Sequence, residues 1–385
     1  MLARTRASFF CLTIFLGLTG GVILFDFVCY FFLPESAVAF APLYRNPPIL
    51  IPEFARSYPR GYFTADSVMG FDITPNISGM HYAFENTAVE IFSNELGCFD
   101  RNSLASIRAA DTFDYFAGDS FAWGYAEYDS KFATVYEARS GHLTVKCGVT
   151  HTGQRQQFEK FNRTIQTIGR YPNRVFVFYY DNDPANDYAY PHSTTIDGFQ
   201  VDTVDVRNGV LIHRELSELK KRLEKSLGDR ESGGVVESVR QILRRYSMTA
   251  NLARFAENQA LRLSAPERPS SFYSLMHQYD FKKNYLSNEI TKENRDAIAR
   301  WKENSREHGY GLIFVLIPPK YAFNDESYYE QLKTYLSQSG IDYLDLTKPF
   351  RESNKKKPDL YWKVDAHLNN SGNAFLGELL AKQYQ

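Results

Sequence analysis

The stretch Phe113-Asp114-Tyr115-Phe116-Ala117-Gly118-Asp119-Ser120-Phe121-Ala122-Trp123-Gly124 decides how the rest of the chain is read. An apolar run of strand length ends on Gly-Asp-Ser and passes directly into small residues that can open a helix. Residues 112–117 are therefore a candidate strand, and four later runs have the same character: 142–147, 174–180, 311–317 and 341–345. They are rich in Val, Ile, Phe and Tyr and are separated by crossovers long enough to hold helices. Such runs argue for parallel strands covered on both faces. The expected fold class is α/β, a three-layer, doubly wound parallel sheet of flavodoxin-like type, with ligand sites beyond the carboxyl ends of the strands. Ser120 falls in that position.

Upstream of this core the chain changes character twice. Residues 9–33 form an almost unbroken apolar run, preceded by Arg4 and Arg6. A run of that length can cross a bilayer as one helix, and the arginines place the N-terminus in the cytoplasm with everything after Pro34 on the far side. A cleaved signal peptide is the rival, since Ala37-Val38-Ala39 has the small-x-small form of a cleavage site. The uncleaved anchor is preferred because the run exceeds the roughly 7–15 residues of a signal core. Asp26 sits awkwardly near a bilayer centre, although a span drawn over residues 9–25 would leave it close to the outer interface. Residues 35–107, with turn signals at Asn46-Pro47-Pro48, Pro59-Arg60-Gly61 and Pro75-Asn76, read as a linker followed by short strands.

Downstream, residues 108–385 hold the α/β domain, interrupted by an insertion at about 208–265. Residues 214–227 and 235–263 carry apolar residues at helical spacing on a charged background, broken by Gly228 and Gly233-Gly234. Packing on the sheet domain is the simplest use of such helices; a substrate lid or a membrane-surface helix are the other two. Residues 291–308 form a charged helix feeding the fourth strand, and the chain ends on a helix over 373–384. Lys355-Lys356-Lys357 reads as a solvated loop.

The 385 residues carry 44 Lys and Arg against 45 Asp and Glu, so the chain as a whole is not drawn to nucleic acid. Cys11 and Cys29 belong to the apolar run. Cys98 and Cys147 lie in the exported part, where either a disulfide or a pair of buried thiols is open. No CxxC or HxxxH spacing points to a metal, and no cofactor is called for.

The chemistry concentrates at two places. A serine at a strand end, opening a helix, exposes its hydroxyl and leaves its N–H free to hold a developing oxyanion, although Gly-Asp-Ser alone fits an ordinary N-cap equally well. A serine hydroxyl also needs an adjacent base, usually a histidine oriented by a carboxylate. Tyr361-Trp362-Lys363-Val364-Asp365-Ala366-His367-Leu368-Asn369 provides both, with Asp365 and His367 two residues apart. In an extended or loop segment that spacing can turn both side chains to one side.

Phe116–Gly124 resembles the nucleophile motif of the SGNH (GDSL-like) hydrolases, and Val364–Asn369 resembles that family's C-terminal Asp/His motif. Between them, Tyr180-Asp181-Asn182-Asp183 follows the third strand as the family's Asn motif does. Cys147-Gly148-Val149-Thr150-His151-Thr152-Gly153-Gln154 follows the second, where the family has its glycine motif. The four signals occur in family order over residues 110–385. The resemblance implies Ser120, His367 and Asp365 as the catalytic group, with the Ser120 N–H, a backbone N–H near Gly148 or Gly153, and the Asn182 amide as oxyanion donors. Two departures stand out. His151 occupies the aligned oxyanion-glycine position, so a tight turn has to accept a side chain. The Asp365–His367 spacing is one residue shorter than in the family's esterases and is similar to its carbohydrate O-acetyltransferase-like branch.

These expectations converge on a membrane-anchored serine esterase or O-acyltransferase acting on acyl esters of a glycan, with polysaccharide-assembly proteins as candidate partners. A non-catalytic glycan-binding or assembly protein is the rival of another class. A lipid-directed esterase is the third reading.

Overall fold

The computed structural model describes residues 2–32, 58–59, 61–82, 88–196, 199–202, 204–207, 210–213, 291–322, 325–354, 360–362 and 366–384, together with 239, 242–243, 246–250, 252–253 and 256. The expected linker over 35–57, the expected helix over 214–227 and most of that over 235–263 lie outside them, as does the Lys355–Lys357 run.

Helix α1 (Leu2–Phe32) contains the segment Thr13–Phe32, long and apolar enough to cross a membrane, as a signal sequence also is. Two antiparallel hairpins follow, β1 (Phe63–Asp66) with β2 (Gly70–Ile73) and β3 (Ser78–Tyr82) with β4 (Ala88–Phe92). Asp66 closes the first turn by accepting from the N–H groups of Val68 and Met69, which is why an aspartate stands at that corner. Helix α2 (Leu104–Ala109), N-capped by Ser103, leads to the main sheet.

The sheet strands are β5 (Asp114–Gly118), β6 (Thr144–Lys146) and β7 (Arg174–Tyr179), then β12 (Gly311–Leu316) and β13 (Asp342–Asp345). Between them run α3 (Ser120–Trp123), α4 (Phe132–Ser140), α5 (Gln154–Ile168) and α6 (Asp183–Ala189), and after them α7 (Lys292–His308), α8 (Glu330–Gln338), α9 (Thr347–Asn354) and α10 (Asn370–Tyr384). All five strands pair in parallel in the order β13-β12-β7-β5-β6. This is the expected doubly wound, flavodoxin-like sheet, and each strand lies where its apolar run was read. The chain reverses winding direction between β5 and β7, so a crevice opens at their carboxyl ends.

Alternation along the strands builds two cores. Tyr115, Ala117, Val175, Val177, Phe314 and Leu316 face α5, α7 and α8, meeting Phe161, Ile165, Trp301 and Leu336. Phe116, Phe176, Phe178, Ile313 and Val315 face α4, α9 and α10, meeting Phe132, Tyr136, Phe350, Leu376 and Leu380. Burying each of these large side chains contributes on the order of 1.5–3 kcal/mol.

The insertion expected to be helical from about residue 208 opens differently. Strands β8 (Ser193–Ile196) and β9 (Phe199–Asp202), then β10 (Val204–Arg207) and β11 (Val210–His213), form two hairpins. Val204, Val206, Val210 and Ile212 alternate at period two around Asn208-Gly209, a dipeptide suited to a tight hairpin turn.

The N-terminal hairpins are part of the same body. Tyr58, Tyr62, Phe63, Phe71, Ile91 and Phe99 share a third core with Trp123, Tyr125, Tyr128 and Val149 of the sheet domain. Cys98 and Cys147 form a disulfide that ties this extension to the end of β6. Buried Lys146 meets Asp100 at 2.9 Å, and Lys160 meets Asp72 at 2.8 Å. With each cation held by a carboxylate of the extension, separating the two parts would leave charges unpaired.

Candidate active site

Ser120 leaves β5 at the crevice. Asp119 caps α3, its Oδ1 accepting from the Phe121 N–H at 2.9 Å, so the serine sits at the first helical position with its N–H outside the helical ladder. Asp119 is fully buried, and burial pushes its carboxyl above the ordinary range; the Phe121 N–H, the Asn182 side chain and the nearby His367 pull the other way.

His367 arrives from the far end of the chain. Trp362 N–H donates to the His367 carbonyl at 3.0 Å, and Tyr361 and Leu368 form an antiparallel bridge, so His367 stands on the returning arm of a short hairpin. Its Nε2 lies 2.7 Å from Ser120 Oγ, across 247 residues of sequence. Residues 363–365 lie outside the described residues, and Asp365 with them.

The His367 ring is flanked by Phe121 at 4.7 Å and Tyr125 at 4.2 Å between centroids. Both flanking rings are themselves held. Phe121 packs on Tyr180 at 3.8 Å. The Tyr125 hydroxyl meets that of Tyr58 at 2.6 Å, and its carbonyl accepts from Trp362 Nε1 at 2.9 Å. An imidazole fixed this way keeps its nitrogen aimed without rotamer search. Phe121, Tyr125 and Tyr58 were not singled out from sequence, where nothing distinguishes them among the chain's many aromatic residues.

Asn182 caps α6 at the carboxyl end of β7, beside Ser120: its side chain hydrogen-bonds Asp119, the neighbouring residue. Its Oδ1 is buried with no hydrogen-bond partner among the described residues. Gly148 lies directly over α3. A Cβ there would stand 2.1 Å from the Trp123 nitrogen and 2.4 Å from the Ala122 carbonyl carbon, so only glycine lets the loop after β6 press on the helix that Ser120 opens. Gly153 does something other than expected. Its N–H donates to Gln156 Oε1 at 3.2 Å and its Cα abuts the Asp187 carboxylate, which also accepts from the Arg155 N–H. The residue caps α5, and its N–H is unavailable to an oxyanion.

His151 takes φ 57°, the left-handed conformation natural to glycine, at a cost of about 1–3 kcal/mol. Burial, and next the proximity of His367, push its imidazole down to about 4. At neutral pH it is uncharged and adds no positive field against protonation of His367.

A strand-end serine, a histidine within hydrogen-bonding distance and an asparagine beside them are groups able to support acyl transfer. Residues 275–385, which carry His367, match the family model described as "SGNH hydrolase-like domain, acetyltransferase AlgX". That C-terminal part of the chain is thus similar to an SGNH hydrolase-like domain. No curated protein matches the chain. Solved structures similar to the chain include a member of the lipolytic G-D-S-L family from Veillonella parvula, 10% identical, covering 71% of this chain and 97% of that one with a TM-score of 0.36. Another is a catalytic mutant of an acetylxylan esterase from Geobacillus stearothermophilus, also 10% identical, covering 71% and 94% with a TM-score of 0.37.

Proposed function

We propose that the SGNH domain moves acyl groups, acetyl above all, onto or off a glycan through a covalent ester on Ser120, on the outer side of a membrane to which α1 tethers it. The observation that carries this reading is the 2.7 Å contact between His367 Nε2 and Ser120 Oγ. With Nδ1 protonated, Nε2 accepts the serine proton as Oγ attacks the acyl carbonyl. The oxyanion is held by the Ser120 N–H, the Asn182 amide and an N–H of the loop from Gly148 to His151. The imidazolium then returns its proton to the departing sugar oxygen. Water or a second sugar hydroxyl, deprotonated by the same nitrogen, releases the acyl group and restores the serine. Asp365 has the residue type and spacing to hold the His367 ring in the required tautomer.

The matched family model is described as an acetyltransferase domain, and the short Asp365–His367 spacing agrees with transfer to a sugar hydroxyl. The apolar segment of α1, after Arg4 and Arg6, supports the tether and its direction.

A fluorophosphonate probe tests the chemistry. Wild type should be labelled on Ser120 and should turn over a model acetyl ester, and Ser120→Ala should do neither. Full ester turnover by Ser120→Ala would overturn the catalytic reading, and a folded wild type that takes no label would leave glycan binding without catalysis.

A further inference from the structure

Asp26 is the only charged residue of the apolar segment Thr13–Phe32. It is answered from 223 residues away: its Oδ1 accepts from both the N–H and the hydroxyl of Thr249, each at 2.8 Å. One turn on, Cys29 is buried, and Tyr30 meets Tyr246 with ring centroids 5.4 Å apart. Residues 26, 29 and 30 share one face of α1, while Phe25, Phe27, Val28, Phe31 and Phe32 on its other faces are exposed. Tyr246 and Thr249 therefore meet one stripe of α1, near the end of the apolar segment.

Depth gives this contact its meaning. Asp26 lies six residues before Phe32, or about 9 Å below the end of the segment at the helical rise per residue. If α1 spans a bilayer, a backbone N–H bonded to Asp26 lies at the same depth, which is where interfacial helices sit, about 5–10 Å below the headgroups. The other described residues nearby agree. Val239, Ile242, Leu243 and Tyr246 recur at helical spacing and are exposed, Ile242 at 56%, as is Leu252. Opposite them Ser247 and Met248 are buried. In water such a stripe would be a liability, whereas among acyl chains it is matched. The sequence interleaves these residues with Arg240, Arg244 and Arg245, the cations that favour anionic headgroups.

We propose that Val239, Ile242, Leu243 and Tyr246 form a second membrane contact, an apolar stripe in the leaflet on the side of the sheet domain, held on α1 through the bond of Thr249 to Asp26. The inference rests on the anchor reading of α1. It gives Asp26 a positive role, because the carboxylate that would be costly alone in the bilayer is the receptor for the insertion.

The test uses the full chain, one copy per nanodisc of phosphatidylethanolamine with a minority of phosphatidylglycerol, in a Cys11→Ser, Cys29→Ser background. A fluorophore is placed at Ile242→Cys or Leu243→Cys, both exposed positions whose replacement disturbs no core. Val28→Cys on α1 reports lipid and Val68→Cys on the N-terminal hairpin reports water. Lipids spin-labelled near the glycerol end of the acyl chain should quench the probes at 242, 243 and 28 and spare the one at 68, with iodide giving the inverse pattern. Quenching at 28 while 242 and 243 behave like 68 would overturn the inference and leave the anchor standing. Absence of quenching at 28 would overturn both, and a shielded 242 that neither lipid nor iodide reaches would mean that protein covers the stripe.

Discussion

Replacing Gly148 with alanine tests whether the loop after β6 sets the nucleophile's position. The new methyl carbon would stand 2.1 Å from the Trp123 nitrogen, 2.4 Å from the Ala122 carbonyl carbon and 2.8 Å from the Ala122 Cβ. Two of these are backbone atoms of the four-residue helix that begins with Ser120, and no side-chain rotation relieves them. Restoring a contact of roughly 3.5 Å requires the loop or α3 to retreat by about 1.4 Å. A misplacement near 1 Å at a reacting centre costs about a hundredfold in rate, equivalent to about 2.7 kcal/mol of transition-state stabilisation. Overpacking costs about 1–3 kcal/mol of stability besides. Gly148→Ala should therefore remain folded with a lowered Tm, and kcat for a model acetyl ester should fall about a hundredfold while KM changes little. Measuring kcat, the rate of fluorophosphonate labelling and Tm on the same preparation separates the effects. A variant that loses stability but keeps wild-type kcat would refute the coupling between Gly148 and Ser120.

Asn182→Ala should lower kcat on the same ester by about a hundred- to a thousandfold, the usual cost of one oxyanion donor; a loss under threefold or so would remove Asn182 from that role. His151 has its imidazole at about 4 against an ordinary 6.5, so as pH falls through that interval the unfolded chain takes up a proton that the folded chain refuses, and stability declines. The stability of His151→Gln relative to wild type, from urea titrations, should accordingly rise between pH 6.5 and 4, and a pH-independent difference would contradict the assignment. Reducing Cys98–Cys147, which closes a loop of 49 residues, should destabilise the protein by up to about 4 kcal/mol, read as a shift in urea midpoint with and without reductant.

The five sheet strands were legible because each is an apolar run of strand length between breaks, and parallel strands buried on both faces have no other way to be written. Ser120 and His367 were legible because a hydroxyl nucleophile demands a base, and only His367 stands in suitable surroundings. The hairpins over 193–213 were missed although Asn208-Gly209 marks a turn, since the charged helical pattern just beyond it dominated the reading. Gly153 looked like a second oxyanion glycine, but a glycine that admits Asp187 to a helix start has the same sequence appearance. The rings around His367 were illegible for a different reason. With aromatic residues at 15% of the chain, a tyrosine at position 58 or 125 distinguishes nothing until the fold brings it to an imidazole.

The Tyr58–Tyr125 contact bears on what may be cut from this protein. A boundary drawn at residue 108, where the sheet domain begins, would retain Ser120, Asn182 and His367 and would look sufficient. It would discard the hydroxyl that braces Tyr125 against the His367 ring, the Tyr62 partner of Trp123 at 2.8 Å and the cysteine bonded to Cys147. If the proposed chemistry holds, the smallest fragment expected to perform it starts at or before Tyr58, and a shorter one would keep Ser120 and His367 while losing the wall that packs on the His367 ring. On the proposed function, substitutions in the extension would alter proton transfer at His367 without replacing Ser120, Asn182 or His367 themselves.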